Sequence, residues 1–466
     1  MGLNPYIKGE HMELINRYFK SYDELKEFIQ SKEPVLFVSS QTSTVIPYPL
    51  LEERLASWCE KQGIEKLVLG DLTSMPSNME LLDNGNLYIK GSVNWEEAIA
   101  FCQKHGRTIK TYPTEQLACI PAGVATSATG ERCFGFGTLR EQVISLKFMD
   151  GEGTIHTLQK KNPLEPFPEL QAYQEAYLPY QALKNGPFPR LKVETDLVIG
   201  AEGQLGPILE VELETTPYEE VRYFFIHLPC WEEDDTPHLE LFQKVQAFRG
   251  NVLSCEILDK HSMQLLPEQD RLKQDRDIIF LEIRGEEEAF DDVFENLLFG
   301  FESIDDEWIF EIPEERFHQI RAGVPRAIFE NNQRLGVEKK GSDVQVRQEN
   351  FKDLLAFYRK GKDVGLPYFL FGHFGDAHLH YNFTPKTSQV ELCNIYFKGL
   401  YDRVLKWKGS PFAEHGIGLI KQRYIRNFHS ETQYKVFKAL KTKYDPNNIF
   451  FPMGFMSGPF EGDFSD

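Results

Sequence analysis

The pattern of apolar and polar positions divides the chain into two unlike halves. In the first, short helical and strand-like patterns alternate. ELINRYFKSYDELKEFIQ (13–30) has the spacing of an amphipathic helix, and PVLFVSS (34–40) that of a short buried strand. LLEERLASWCEKQG (50–63) reads as a helix and KLVLGDL (66–72) as a strand, followed by a strand in NLYIKGS and a helix in VNWEEAIAFCQKHG. VISLKFMDGEGTIHTL (143–158) alternates on both sides of an Asp-Gly-Glu-Gly turn, the signature of a hairpin. A proline-rich stretch, 161–191, interrupts the periodicity and is expected to run over a surface. In 196–217 two strand-like ends flank a glycine-rich middle.

From about residue 219 the character changes. VRYFFIHL, NVLSCEIL and DIIFLEIRG read as strands; HLELFQKVQAFRG, EEEAFDDVFENLLFG and PEERFHQIRAGVPRAIFENNQR read as helices. These spacings predict an α+β unit whose sheet is mostly antiparallel and covered by helices on one face. No internal repeat or low-complexity tract stands out. A length of 466 residues calls for two domains with room for a third. The expected boundaries are 1–218, 219–425 and a C-terminal segment, 426–466, packing back on the first unit.

Composition narrows the function. A hydrophobic fraction of 41%, with 13% aromatic, builds sizeable cores. A formal charge of −20 repels polyanions, so nucleic acid is not an expected partner. Seven scattered cysteines form no CxxC pair, which argues against an iron–sulfur cluster or a thiolate zinc site. Their odd number, with no signal peptide at the start, fits free thiols in a reducing cytosol, so a cytoplasmic protein is expected. No apolar run approaches the ~20 residues of a membrane helix, and peripheral contact with a membrane stays compatible with the sequence.

Candidate chemistry concentrates late in the chain. FGHFGDAHLHYNF (371–383) holds His373, Asp376, His378 and His380, although the whole chain has only 12 histidines. Alternation in a strand puts His378, His380 and Asn382 on one face, and His373 converges on them across a Gly-Asp turn. The plain alternative is a hydrogen-bonded core cluster. GAEGQLG (200–206) is not a dinucleotide fingerprint, because Pro207 and the strand-like ILEVELE follow it in place of a helix. IPAGVATSATGERCFGFGT (120–138) is rich in small residues that let backbone N–H groups approach anionic oxygens.

Taken in order, these pieces resemble the FAD-linked oxidases, the vanillyl-alcohol oxidase or PCMH superfamily. Ile120, Ala125, Thr126, Ala128, Gly130, Gly137 and Thr138 match its second loop, and Ile199, Gly200, Glu202, Gly203, Leu205 and Gly206 match I-G-x-E-G-x-L-G throughout. Its first phosphate loop, R-G-G-G-T-S, is replaced here by VSSQTST (38–44), and Ile-Gly-Gly by Ile120-Pro121-Ala122. FGHFGDAHLHYNF resembles G-H-x-G-D-G-N-x-H-x-N of the branch holding D-lactate dehydrogenase, the glycolate oxidase flavin subunit and D-2-hydroxyglutarate dehydrogenase. PFAEHGIGLIKQRYI (411–425) resembles S-x-E-H-G-x-G-x-x-K, and KYDPNNIFFPMG its terminal D-P-x-x-I-x-N-P-G-K.

The resemblance implies a two-subdomain PCMH-type FAD-binding domain and a cap domain with an antiparallel sheet flanked by helices. It implies FAD contacts at Ser39, Ser40, Gln41, Thr42 and Ser43; at Pro113, Ala122, Gly123, Thr126, Ser127, Gly130 and Gly137; at Glu202, Gly203, Leu205 and Gly206; and at Asn448. A divalent metal (zinc first, manganese or iron as alternatives) would be held by His373, His380 and Glu414. His415 would act as general base, with Asn382 in the catalytic set and Arg321, or else Arg326, pairing the substrate carboxylate. Lys339 or Lys340 is a further candidate near the substrate. The implied reaction is oxidation of a D-2-hydroxy acid of the lactate, glycolate or 2-hydroxyglutarate class to the 2-oxo acid, by hydride transfer to flavin. A separate electron-transfer protein, a quinone or oxygen would take the electrons. His378, where the family usually has Asn, is open between second-layer partner, substrate contact and additional ligand. Two rival readings are an alkyl-dihydroxyacetonephosphate synthase-like flavoenzyme, which Glu414 disfavours, and a degenerate non-catalytic subunit, which the altered loops suggest.

Overall fold

A computed structural model describes residues 12–272, 275–337 and 340–458. The stretch 13–30, expected as one helix, splits in two. Glu13–Tyr18 is a strand in parallel register with Lys66–Asp71, and the helix starts only at Tyr22. Ser21 makes the break: its side chain accepts from the Glu24 N–H and caps the helix, whose Leu25, Phe28 and Ile29 turn inward. Val35–Val38 pairs with the other edge of Lys66–Asp71, giving a three-stranded parallel sheet. The helix Leu51–Gln62 makes the crossover between them.

A second, five-stranded antiparallel sheet runs in the order Asn78–Leu81, Leu87–Lys90, Ile208–Leu213, Val143–Met149, Ile155–Gln159. The predicted hairpin is its edge, with Asp150 Oδ1 accepting from the N–H groups of Glu152 and Thr154. The strand expected at the start of 196–217 is instead a short 3-10 turn, Glu194–Leu197. Asp196 causes this. Fully buried, it accepts from the backbone of Lys192 and Val193 and from Arg140 and Arg190, closing the chain into a turn.

The proline-rich stretch 161–191 runs along the surface with one face turned inward. Leu170, Tyr173, Tyr177, Tyr180, Leu183, Phe188 and Leu191 are buried in the main core. Tyr173, Tyr177 and Tyr180 follow i, i+4, i+7 spacing, and Tyr173 packs edge-on against Phe437 of the helix Glu431–Tyr444. Prolines end the helix around this aromatic stripe without exposing it.

The eight-stranded sheet holds the second half. Its order is Ile309–Ile312, Val221–Leu228, Asp277–Arg284, Val252–Leu258, Tyr368–His373, His378–Phe383, Lys340–Gly341, and Val344–Gln345 also pairs with His378–Phe383. The pairings are antiparallel, as expected. Helices cover both faces, not one. The long helix Glu314–Leu335 packs Phe317, Ile320, Val324 and Ile328 on one side, while Thr236–Val245 and Glu287–Val293 bring Leu241, Phe242, Phe290 and Val293 to the other. DIIFLEIR is apolar on both sides of the pleat, which is what a doubly covered strand requires.

The C-terminal segment returns to the first sheet. Val35 N–H donates to the Ile449 carbonyl at 2.8 Å, and Phe451 N–H to the Val35 carbonyl at 2.7 Å. His429, ahead of the last helix, is buried among Phe188, Phe437 and Phe455 and shares one nitrogen with the Pro187 carbonyl at 2.9 Å. Burial pushes it down to about 4, against the pull of that carbonyl. A histidine with a depressed native pKa adds stability above its unfolded value of about 6.5 and loses it as pH falls through about 4. Unfolding free energy should therefore drop by ~2–3 kcal/mol from this group between pH 7 and 4.5. Denaturant titrations should show a shallower acid limb for His429→Gln; identical limbs would refute the assignment.

Candidate active site

The two histidine strands form a tight pair. Phe374–Asp376 makes a 3-10 turn between them, and Ala377 takes a left-handed φ of 52° that reverses the chain. His373 faces His378 in register, Phe371 faces His380, and Phe369 faces Asn382. The period of two sends Tyr381 and Phe383 into the core, where Tyr381 stacks on Tyr358 and Tyr368. His378, His380 and Asn382 take the opposite face. A Cβ at Gly372 would stand 3.0 Å from the His380 ring, so glycine there leaves the imidazole its place.

Glu414 arrives from the loop after Pro411 and meets the hairpin. Its Oε2 lies 2.9 Å from His373 Nε2 and 3.6 Å from His380 Nε2. His373 Nδ1 lies 2.8 Å from Glu256, whose other oxygen accepts from Arg321 at 2.6 Å. Arg321 Nε approaches Glu131 of the small-residue loop at 3.5 Å. Alternating charges thus run in one buried line from Glu131 to Glu414. Burial works against each charge, and the partners outweigh it: Glu256 is held at about 2 by His373 and Arg321, and His373 is raised to about 9 by Glu256 and Glu414. Glu414 sits well below the usual carboxylate range because His373, His380 and His415 face it.

Asp343 is a second hub. It accepts from His378 Nε2 at 2.8 Å, from the His415 N–H at 2.9 Å and from Lys421 Nζ at 3.0 Å. The His415 ring stacks on His380 at 5.1 Å, with Nδ1 3.6 Å from Asp343. Burial brings His415 down to about 4 despite that carboxylate.

One donor atom from each of Asp343, His378, His380 and Glu414 lies within 4.8 Å of the others. His373, the remaining member of the set expected from sequence, touches this group through Glu414. Imidazoles and carboxylates so gathered fit a divalent ion such as zinc, manganese or iron. Both amide atoms of Asn382, 1% exposed, lack a hydrogen-bond partner among the described residues, as does Arg321 Nη1. Unpartnered polar atoms at a buried charged cluster fit a bound ligand. Arg326 is exposed, which separates it from Arg321. Lys340 lies at the strand edge opposite Phe383, and Lys339 lies outside the described residues.

The loops expected to hold a flavin meet beside this cluster. Ser40 Oγ lies 3.2 Å from Cys119 Sγ, and the Val45 carbonyl accepts from Leu419 and Ile420. Glu202 N–H donates to the Ala125 carbonyl, while its carboxylate accepts from Ile417 and Gly418 at 2.5 and 3.0 Å. Asn185 donates to the carbonyls of Ser127 and Ala413 at 2.9 and 2.7 Å. Thr126, Ser127, Asn185, Gly200, Glu202 and Gly416 line a cavity there. Ser40, Gln41 and Thr42 are exposed; Ser39, Ser43, Pro113, Ala122, Thr126, Gly137 and Gly203 are half-buried. Gln41, Ser127 and Glu202 take left-handed backbone, and the Ser127 and Glu202 N–H groups are bonded to the Val124 and Ala125 carbonyls. Gly123 backs onto Trp95, and Leu205 is a core side chain. Asn448 is exposed and bonded to Ser457.

Gly130 and Gly206 are required by space. A Cβ would stand 1.7 Å from the Tyr112 carbonyl oxygen at Gly130 and 1.9 Å from that of Met149 at Gly206, where φ is also 139°. Gly206→Ala should cost at least ~2 kcal/mol in chemical denaturation and lower the flavin retained on purification. Wild-type stability in that variant would contradict the packing described.

Four contributors have weak sequence signals. Glu256 is a lone charge inside the apolar NVLSCEIL, and Asp343 follows a lysine pair in a loop-like segment. Lys184, buried 3.2 Å from Asp376, and Asn185 lie in the proline-rich stretch and carry no signal at all.

Two family models match the chain. The FAD binding domain covers residues 56–159, and the FAD linked oxidases, C-terminal domain, covers 238–453. The first begins beyond the altered 38–44 loop. The mitochondrial cytochrome-type D-lactate dehydrogenase of Kluyveromyces lactis is 22% identical over 80% of this chain and 62% of its own length. The mitochondrial D-2-hydroxyglutarate dehydrogenase of Rattus norvegicus is 26% identical over 72% of this chain and 59% of its own. The D-2-hydroxyglutarate dehydrogenase of Xanthomonas citri pv. viticola is 26% identical over 73% of this chain and 70% of its own. The chain thus spans about 60% of the length of the first two. A solved structure of alkyldihydroxyacetonephosphate synthase superposes with a TM-score of 0.64 at 14% identity, over 93% of this chain and 75% of that one, which shows a shared fold. Two family models in the expected order, over residues 56–159 and 238–453, bear out the likeness to the FAD-linked oxidases.

Proposed function

We propose that the chain is an FAD-dependent dehydrogenase that oxidises a D-2-hydroxy acid to the 2-oxo acid with the help of a divalent metal. The observation that carries this is the buried cluster of His373, His378, His380, Asp343 and Glu414, with the unpartnered Asn382 amide, beside the flavin loops. Bound FAD supplies a hydride acceptor and a divalent metal a Lewis acid. His373, His380 and Glu414 would hold the metal. His415, stacked on His380, is placed to take the hydroxyl proton, and Asp343 anchors its backbone. Arg321, pinned by Glu256, keeps Nη1 free for a substrate carboxylate, and Asn382 offers both a donor and an acceptor. These polar groups lie at the foot of the loops that would carry the flavin, so substrate would be fixed at one end while C2 faces the ring. D-lactate and D-2-hydroxyglutarate, named by the relatives, are the first substrates to test.

A separate electron-transfer protein, a quinone or oxygen would take the electrons from the reduced flavin. Among the described residues, no helix is long and apolar enough to cross a membrane. The test is a visible spectrum of the purified, metal-loaded protein under anaerobic conditions. Flavin bands that bleach with D- but not L-2-hydroxy acids are expected. Absent bands, or no bleaching across lactate, glycolate, malate and 2-hydroxyglutarate, would overturn the reading.

A further inference from the structure

His378 is the one histidine of the hairpin without an assigned role. Its side chain is fully buried. Asp343 already accepts from Lys421 and the His415 N–H, so it acts as an acceptor toward His378 as well, and His378 Nε2 carries the proton. Nδ1 is then left with a bare lone pair, and it is buried without a hydrogen-bond partner among the described residues. A buried polar atom left this way costs ~1–3 kcal/mol unless something else satisfies it. An imidazole with a carboxylate on one nitrogen and an open lone pair on the other is the arrangement of a metal ligand whose tautomer is fixed by its second partner. The surroundings agree. The His378 ring centroid is 4.9 Å from those of both His373 and His380; one donor atom each of His378, His380, Glu414 and Asp343 lies within 4.8 Å of the others, and His373 Nε2 meets Glu414 at 2.9 Å.

We propose that His378, oriented by Asp343, is an additional metal ligand, so that three histidines and Glu414 hold the ion. This rests on the metal-assisted reading above. Its consequence concerns substrate class. Four protein donors on a six-coordinate ion leave two positions, the number that a chelating 2-hydroxy carboxylate fills with its hydroxyl and one carboxylate oxygen. Simple alcohols, with one oxygen, would leave a position to water.

The test uses the full-length flavoprotein loaded with cobalt(II), and no turnover. Proton NMR should show hyperfine-shifted ring signals from three histidines in the wild type. His378→Asn should show two and should lose cobalt to EDTA at least tenfold faster, with its flavin spectrum unchanged as the check on folding. Signals from only two histidines in the wild type, or wild-type EDTA kinetics in His378→Asn, would overturn the proposal. The wild-type count stands even where the variant misfolds. Failure of the underlying reading looks different: the wild type would take up no stoichiometric cobalt, or Glu414→Gln would bind it equally well.

Discussion

Glu414→Gln should abolish most turnover while leaving the flavin in place. Glu414 is the only carboxylate that reaches both His373 and His380 among the described contacts, at 2.9 and 3.6 Å. An amide of the same shape offers one neutral oxygen and a donor where the cluster needs an anion. Losing metal assistance should cost on the order of 10³-fold in kcat/KM, about 4 kcal/mol of transition-state stabilisation. Metal content should fall with it, and the visible flavin bands should not. Turnover within tenfold of wild type, with metal retained, would remove Glu414 from the site.

Arg321→Met should have the largest effect on stability. Arg321 is 3% exposed and Glu256 is fully buried, so removing the guanidinium leaves the carboxylate with His373 as its one remaining side-chain hydrogen-bond partner among the described residues. Breaking one side of a buried pair costs ~3–5 kcal/mol, mostly as the penalty on the stranded charge. The denaturation midpoint should fall accordingly. Arg321→Met/Glu256→Gln should regain much of that loss, because the stranded charge is gone. The double variant should still show a raised KM for the hydroxy acid, since Nη1 no longer meets the carboxylate. Recovery of both stability and KM would make Arg321 purely structural.

The sequence made the hairpin legible because a strand has a period of two: three polar residues at 378, 380 and 382 can only share a face. Glu414 was found through its local motif, at a separation no periodicity reveals. Glu256 and Asp343 were hidden because a single charge in an apolar run looks like a strand edge until a partner arrives from elsewhere. The largest misreading has a local cause. At 13–30 apolar spacing alone outweighed Ser21, a capping residue with Glu three positions on. At 161–191 the prolines mark the exposed face of the stretch, and the tyrosine spacing inside it marks the face that turns inward.

The Asn185 amide closes two loops at once, bonding to Ser127 at a separation of 58 residues and to Ala413 at 228. Glu202 meets Ile417 across 215 residues. Such distant contacts form late, after local helices and hairpins. During synthesis, the flavin loops of the first half therefore wait, unclosed, for most of the chain to be made. Cofactor capture would then be one of the last events of folding, and a ribosome stalled before residue 413 would hold a chain whose binding site is open and whose main core still lacks Phe437 and Phe455.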